Sequence, residues 1–121
     1  MGKRILAIDD NLAILDVLKE ILSFEGYEVV TKSDGVEALD TVEKVHPDLI
    51  LLDVMLNDID GREICRALKN HRSFNGIPVI MLSATHDLIE TINQPGAPDD
   101  FIAKPFDIYY LISKVNHCLA A

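Results

Sequence analysis

Three carboxylates stand where apolar runs end: Asp9 and Asp10 follow Ile5-Leu6-Ala7-Ile8, and Asp53 follows Leu49-Ile50-Leu51-Leu52. A carboxylate at the end of a buried strand emerges from the core partly shielded from water. Three of them in one place repel each other, so the cluster implies a bound cation, raised carboxyl pKa values, or both. With no His or Cys among them, the donors are all oxygen. Few protein ligands leave room for water and a phosphate, which suits Mg²⁺ better than Ca²⁺ and disfavours zinc. Ser83 after Ile80-Met81-Leu82 and Lys104 after Phe101-Ile102 add a hydroxyl and an ammonium. Three carboxylates against one ammonium leave two formal negative charges, which one Mg²⁺ neutralises. Asp53 could then attack phosphorus, with the metal and Lys104 neutralising the transferring group and Ser83 donating to one of its oxygens. The product would be an aspartyl phosphate.

The elements that must position these residues follow from periodicity. Short aliphatic runs at 4–8, 28–31, 49–52, 78–82 and 100–102 alternate with segments of helical spacing. In the first helix Leu15, Leu18 and Leu22 share a face and Gly26 stands where a left-handed cap would end it. Asp60 with Glu63 three residues on predicts a capping box for the third helix, and Asp107 predicts a cap for the last. Strict alternation predicts an α/β fold, a doubly wound five-stranded parallel sheet with helices on both faces. In the flavodoxin-like order 2-1-3-4-5 the ligand crevice lies at the carboxyl ends of strands one and three. Asp9, Asp10, Asp53, Ser83 and Lys104 all fall on that edge. Each has a plainer role in isolation, Asp9-Asp10-Asn11 as a helix cap and Lys104-Pro105 as a turn, but joint placement at four strand ends favours one site.

With 121 residues, nearly half of them apolar, the chain can bury one core, and a single domain over 1–121 is expected. The formal charge of −9 and scattered Lys and Arg argue against a nucleic-acid surface. The apolar runs are too short and too interrupted for membrane insertion or export, so the cytoplasm is the expected location. Cys65 and Cys118 lack CxxC or His spacing and are expected to be free thiols on helices. His46, His71, His86 and His117 show no ligand spacing.

From about Lys3 to Leu119 the chain resembles the receiver domain of two-component response regulators. The resemblance rests on Asp9-Asp10, on Asp53 in Leu-Leu-Asp-Val-Met-Leu followed by Asp60-Gly61, on Ser83-Ala84, and on Asp99-Asp100-Phe101-Ile102-Ala103-Lys104-Pro105-Phe106. It implies that a sensor histidine kinase or phosphotransfer protein offers a phosphohistidine, and that the phosphoryl group moves to Asp53. It also implies that Asp10 binds Mg²⁺ directly, that Asp9 does so largely through water, and that the Met55 backbone carbonyl completes the protein ligands. Lys104 would bridge a phosphoryl oxygen, before a Lys104-Pro105 bond that is cis in the family. Ser83 drawn toward the phosphate would vacate space for Phe101, and the face around the fourth helix, fifth strand and last helix would present the signal to a downstream protein. The domain would promote its own phosphorylation and dephosphorylation without being a turnover enzyme.

Departures from that pattern have consequences. Asn57 replaces a frequent proline and loosens the loop after Asp53. Pro95-Gly96-Ala97-Pro98 predicts a short or irregular fourth helix after Asp87-Leu88-Ile89-Glu90. Met55 and Thr85 carry no amide or carboxylate to orient water, which predicts slow self-dephosphorylation. Met55 also stands where haloacid dehalogenase-like phosphatases place a second Asp, and no glycine-rich loop follows the first strand to hold a nucleotide or flavin. The remaining rival is a receiver-like interaction module that signals without phosphate. The chain reads as a stand-alone receiver, although an excised piece of a longer regulator or hybrid kinase would have the same sequence.

Overall fold

The structure, a computed structural model, describes residues 2–84 and 96–120. The elements are β1 (Arg4–Ile8), α1 (Leu12–Phe24), β2 (Glu28–Lys32), α2 (Ala38–Val45), β3 (Leu49–Asp53), α3 (Gly61–Lys69), β4 (Val79–Ser83), β5 (Asp100–Ala103) and α4 (Ile108–Leu119). All five strands pair in parallel in the order β2-β1-β3-β4-β5, as the alternation predicts. The strand order reverses beside β1, so a crevice opens above the carboxyl ends of β1 and β3.

Burial explains the strand assignments. Every residue of β3 and β4 is buried, as expected for central strands covered on both faces. Ile50 and Leu52 face one layer with Val42, Ile64, Cys65 and Leu68 of α2 and α3. Leu49 and Leu51 face the other, with Leu15, Leu18, Leu22, Leu111 and Val115 of α1 and α4. Each such aliphatic side chain contributes about 1.5–3 kcal/mol on full burial. The sheet is therefore pinned from both sides, and its carboxyl edge is a fixed platform.

The helix ends show how local chemistry aims the platform. Asn11 caps α1, accepting from the amides of Ala13 at 3.0 Å and Ile14 at 3.3 Å, and Gly26 follows the helix with φ 95°. Asp107 caps α4, accepting from Tyr110 N–H at 3.0 Å. The expected box at α3 forms only in part. Asp60 accepts from Arg62 N–H at 2.9 Å and the Arg62 guanidinium also grips its carboxylate at 2.7 Å, while among the described residues the Asp60 N–H does not donate back to the Glu63 carboxylate. That pairing holds the Asp60 carboxyl below its usual range. Cys65 and Cys118 are free thiols as expected, and burial pushes Cys65 up to about 11, which keeps it unreactive. The predicted irregular helix after Ser83, with Thr85 and His86, lies outside the described residues.

Gly61 decides how closely α3 approaches the site. A Cβ there would lie 2.0 Å from the Asp53 carbonyl oxygen and 3.1 Å from Val54 Cα, both backbone atoms that cannot rotate away. Its N–H donates to the Val54 carbonyl at 2.8 Å. Gly61→Ala should therefore lower stability by about 1–3 kcal/mol in denaturant unfolding. Gly76→Ala, where a Cβ meets nothing within 4 Å, should change it by less than about 0.5 kcal/mol.

Candidate functional site

β1 and β3 deliver the carboxylates. Ile8 stands opposite Leu52 in the sheet, so the residues that follow, Asp9 and Asp53, emerge side by side. Carboxylate oxygens of Asp9, Asp10 and Asp53 lie within 4.8 Å of one another. Among the described residues no other group of three or more His, Cys, Asp or Glu converges in this way. Asp9 is 0% exposed and Asp53 is 4% exposed, which makes the repulsion between them expensive.

Lys104 answers that repulsion. Its ammonium lies 2.8 Å from Asp9 Oδ2 and 3.3 Å from Asp53 Oδ1. β5 brings it there: Ala103 pairs with Ser83, and Lys104 N–H donates to the Ser83 carbonyl at 2.8 Å. The Lys104-Pro105 bond is cis, as in the family it resembles. Asp9 Oδ1 is held separately by the Asn11 amide at 2.9 Å, and Met55 N–H donates to Asp53 Oδ1 at 3.3 Å.

One cation does not balance three carboxylates. Burial, followed by the nearby Asp9 charge, raises the Asp53 carboxyl above its ordinary value, against the opposing pull of Lys104 and the Met55 amide. The sign matters for stability. The folded chain without metal binds this proton more tightly than the unfolded chain does. Stability from that source is complete below the ordinary carboxyl pKa and is lost as pH rises through the elevated value. Above that elevated value the ionised group works against folding until a further positive charge enters. The all-oxygen donor set fits a hard divalent cation and leaves positions for water.

The other candidate residues lie on β4, on β5 and in the loop after β3. Ser83 is buried at the end of β4, beside β3, where Val54 N–H donates to the Leu82 carbonyl at 3.0 Å. Met55 stands two residues after Asp53 in the loop to α3 and is 64% exposed. Phe101 stands opposite Met81 and packs partly buried against the α2/α3 layer. His46, His71 and His117 are exposed and outside the acidic group. Sequence reasoning missed two supports, the Asn11 amide on Asp9 and the close approach allowed by Gly61. A glycine as the first residue of a helix was the available signal for the second.

Residues 5–116 match the family described as the response regulator receiver domain. The DNA-binding response regulator MtrA of Mycobacterium tuberculosis (strain ATCC 25618 / H37Rv) is 36% identical over 117 residues, covering 96% of this chain and 50% of its own. This chain thus spans about half the length of the curated relatives it matches. A CheY-like receiver domain protein from Methanospirillum hungatei JF-1 superposes with TM-score 0.87 at 34% identity, covering 97% of this chain and 93% of its own. The receiver domain of a sensor histidine kinase from Pseudomonas aeruginosa PAO1, solved with a magnesium ion coordinated in its active-site cleft, gives 0.87 at 28% identity, with 100% of both chains covered. Five parallel strands in this order, an acidic group at the ends of β1 and β3, and a lysine reaching it from β5 agree with that match: the chain belongs to the response regulator receiver domain family of two-component signalling.

Proposed function

We propose that the chain is a phosphoacceptor switch in which Asp53 receives a phosphoryl group from a sensor histidine kinase or phosphotransfer protein. The observation that carries this reading is the buried contact of Lys104 with both Asp9 and Asp53. It places one mobile positive charge against the would-be nucleophile and leaves net negative charge for a divalent cation. Asp9, Asp10, Asp53 and the Met55 backbone carbonyl would hold Mg²⁺, which supplies positive charge against the transferring group.

An Asp53 carboxylate oxygen attacks phosphorus in line, the phosphorus–nitrogen bond of the phosphohistidine breaks, and its electron pair leaves with the imidazole. Lys104 swings its ammonium toward a phosphoryl oxygen, and the Ser83 hydroxyl donates to another. A single transfer leaves the aspartyl phosphate as the signal, so the domain acts once per event and is not a turnover enzyme. Its partners would be cytoplasmic proteins, and its formal charge of −9 makes direct nucleic-acid contact by this domain unfavourable. No described helix is long and apolar enough to cross a membrane. DNA binding by relatives such as MtrA belongs to proteins about twice this length.

Recruitment of Ser83 and Lys104 to the phosphate loosens their present partners at the β4 and β5 ends and biases Phe101 between two packings. A downstream protein reads the change on the surface around β5 and α4.

Incubation with Mg²⁺ and a small phosphodonor should give one phosphoryl adduct by intact mass, absent in Asp53→Asn. Lys104→Ala should slow its formation by about 10²-fold. Because Met55 offers no group to orient water, the adduct should persist for minutes or longer; decay within seconds contradicts that assignment. No adduct from several donors would favour an interaction module that works without phosphate. Beryllofluoride with Mg²⁺ should shift the amide resonances of Ser83 and Phe101, and unchanged shifts there would remove the switch.

A further inference from the structure

The acidic group is split between two segments, Asp9-Asp10 after β1 and Asp53 to Met55 at the end of β3, and the β2–α2 turn joins them. On one side Asp9 N–H donates at 3.1 Å to the carbonyl of Lys32, the last residue of β2. The turn beyond is braced internally. Lys32 Nζ lies 3.1 Å from Asp34 Oδ1, and Val36 N–H donates to the same oxygen at 3.0 Å. On the other side Gly35 N–H donates to both carboxylate oxygens of Asp58, at 3.1 Å each. Asp58 belongs to the loop that carries Met55.

Gly35 is buried and Asp58 is exposed, so the carboxylate reaches in to satisfy an amide that would otherwise lose its partner. The turn also presses on that loop. A Cβ at Gly35 would lie 2.3 Å from Ile59 Cγ2 and 3.3 Å from Leu56 Cδ1. The two halves of the acidic group are thus tied directly through the β1–β3 pairing and again around the outside, through Lys32, Gly35 and Asp58.

We propose that Asp58 is a positioning residue for this site. Its carboxylate clasps the β2–α2 turn to the loop after Asp53 and so fixes the Met55 main chain relative to Asp9 and Asp10. The inference rests on the cation reading above. A small hard cation demands near-ideal octahedral geometry, so a loop that drifts by a fraction of an ångström weakens binding although Asp58 itself touches no metal. Residues that orient ligands in this indirect way typically change metal affinity by about 10- to 100-fold.

The test is calorimetric Mg²⁺ titration of the full chain, wild type beside Asp58→Asn and Asp58→Ala. Both substitutions remove one negative charge, but only asparagine keeps an acceptor oxygen for Gly35. Asp58→Ala should bind about 10-fold more weakly than Asp58→Asn, which should stay close to wild type. In the metal-free proteins, exchange of the Gly35 amide should accelerate and the Met55 and Leu56 resonances should move in Asp58→Ala only. Equal affinities for the two variants, with Gly35 exchange unchanged, would overturn the clasp. A wild-type chain that binds no Mg²⁺ would overturn the cation reading instead, and Gly35 exchange with the Met55 resonances would still decide on the clasp.

Discussion

The structure turns on one lysine held between two buried carboxylates. Lys104 reaches Asp9 at 2.8 Å and Asp53 at 3.3 Å from the end of β5, while the carboxylates come from β1 and β3. Charges so shielded from water are tolerated only when paired, and with Asp10 beside them the pairing is incomplete. Burial first and the neighbouring Asp9 charge second raise the Asp53 carboxyl above its ordinary value, and Lys104 offsets them only in part. A site in this condition favours whatever adds positive charge, which is the electrostatic basis for the cation and phosphoryl chemistry proposed above.

Holding such a group together requires a stiff frame, and the frame is the sheet. Parallel pairing of β1 with both β2 and β3 brings three carboxyl ends to one edge, and two apolar layers clamp the strands. Gly61 then lets α3 begin against the Asp53 carbonyl, and the β2–α2 turn closes the outside of the crevice through Asp58. Lys104 enters this frame at the end of a long, unbranched side chain. In the proposed transfer its long side chain would exchange Asp9 and Asp53 for a phosphoryl oxygen, and its backbone N–H, bonded to the Ser83 carbonyl, would link that exchange to β4.

The fold was legible because its signals are local. Five aliphatic runs and the spacing of Leu15, Leu18 and Leu22 report burial directly, and the strand bounds moved by only a residue or so. The candidate site was legible because its carboxylates, hydroxyl and ammonium all end or follow strands. What escaped depends on contacts between distant residues. Gly61 matters because of a backbone atom eight positions away, and Asp58 because of an amide 23 residues upstream. The Arg62 grip on the Asp60 carboxylate escaped for the opposite reason: it joins near neighbours, beside the cap bond that Asp60 accepts from the same residue's N–H. Spacing does not show a contact whose geometry is set by side-chain rotamers.

The central claim, that the site holds uncompensated negative charge in readiness for a cation, is tested most directly by thermal unfolding at neutral pH with and without Mg²⁺. Without the ion, Asp53→Asn should melt above wild type, because the substitution removes an unfavourable buried charge. With Mg²⁺ at 100 times its dissociation constant, wild type should gain about 2.7 kcal/mol and the order should reverse. A metal-free Asp53→Asn that melts below wild type, or a wild type indifferent to Mg²⁺, would contradict the account.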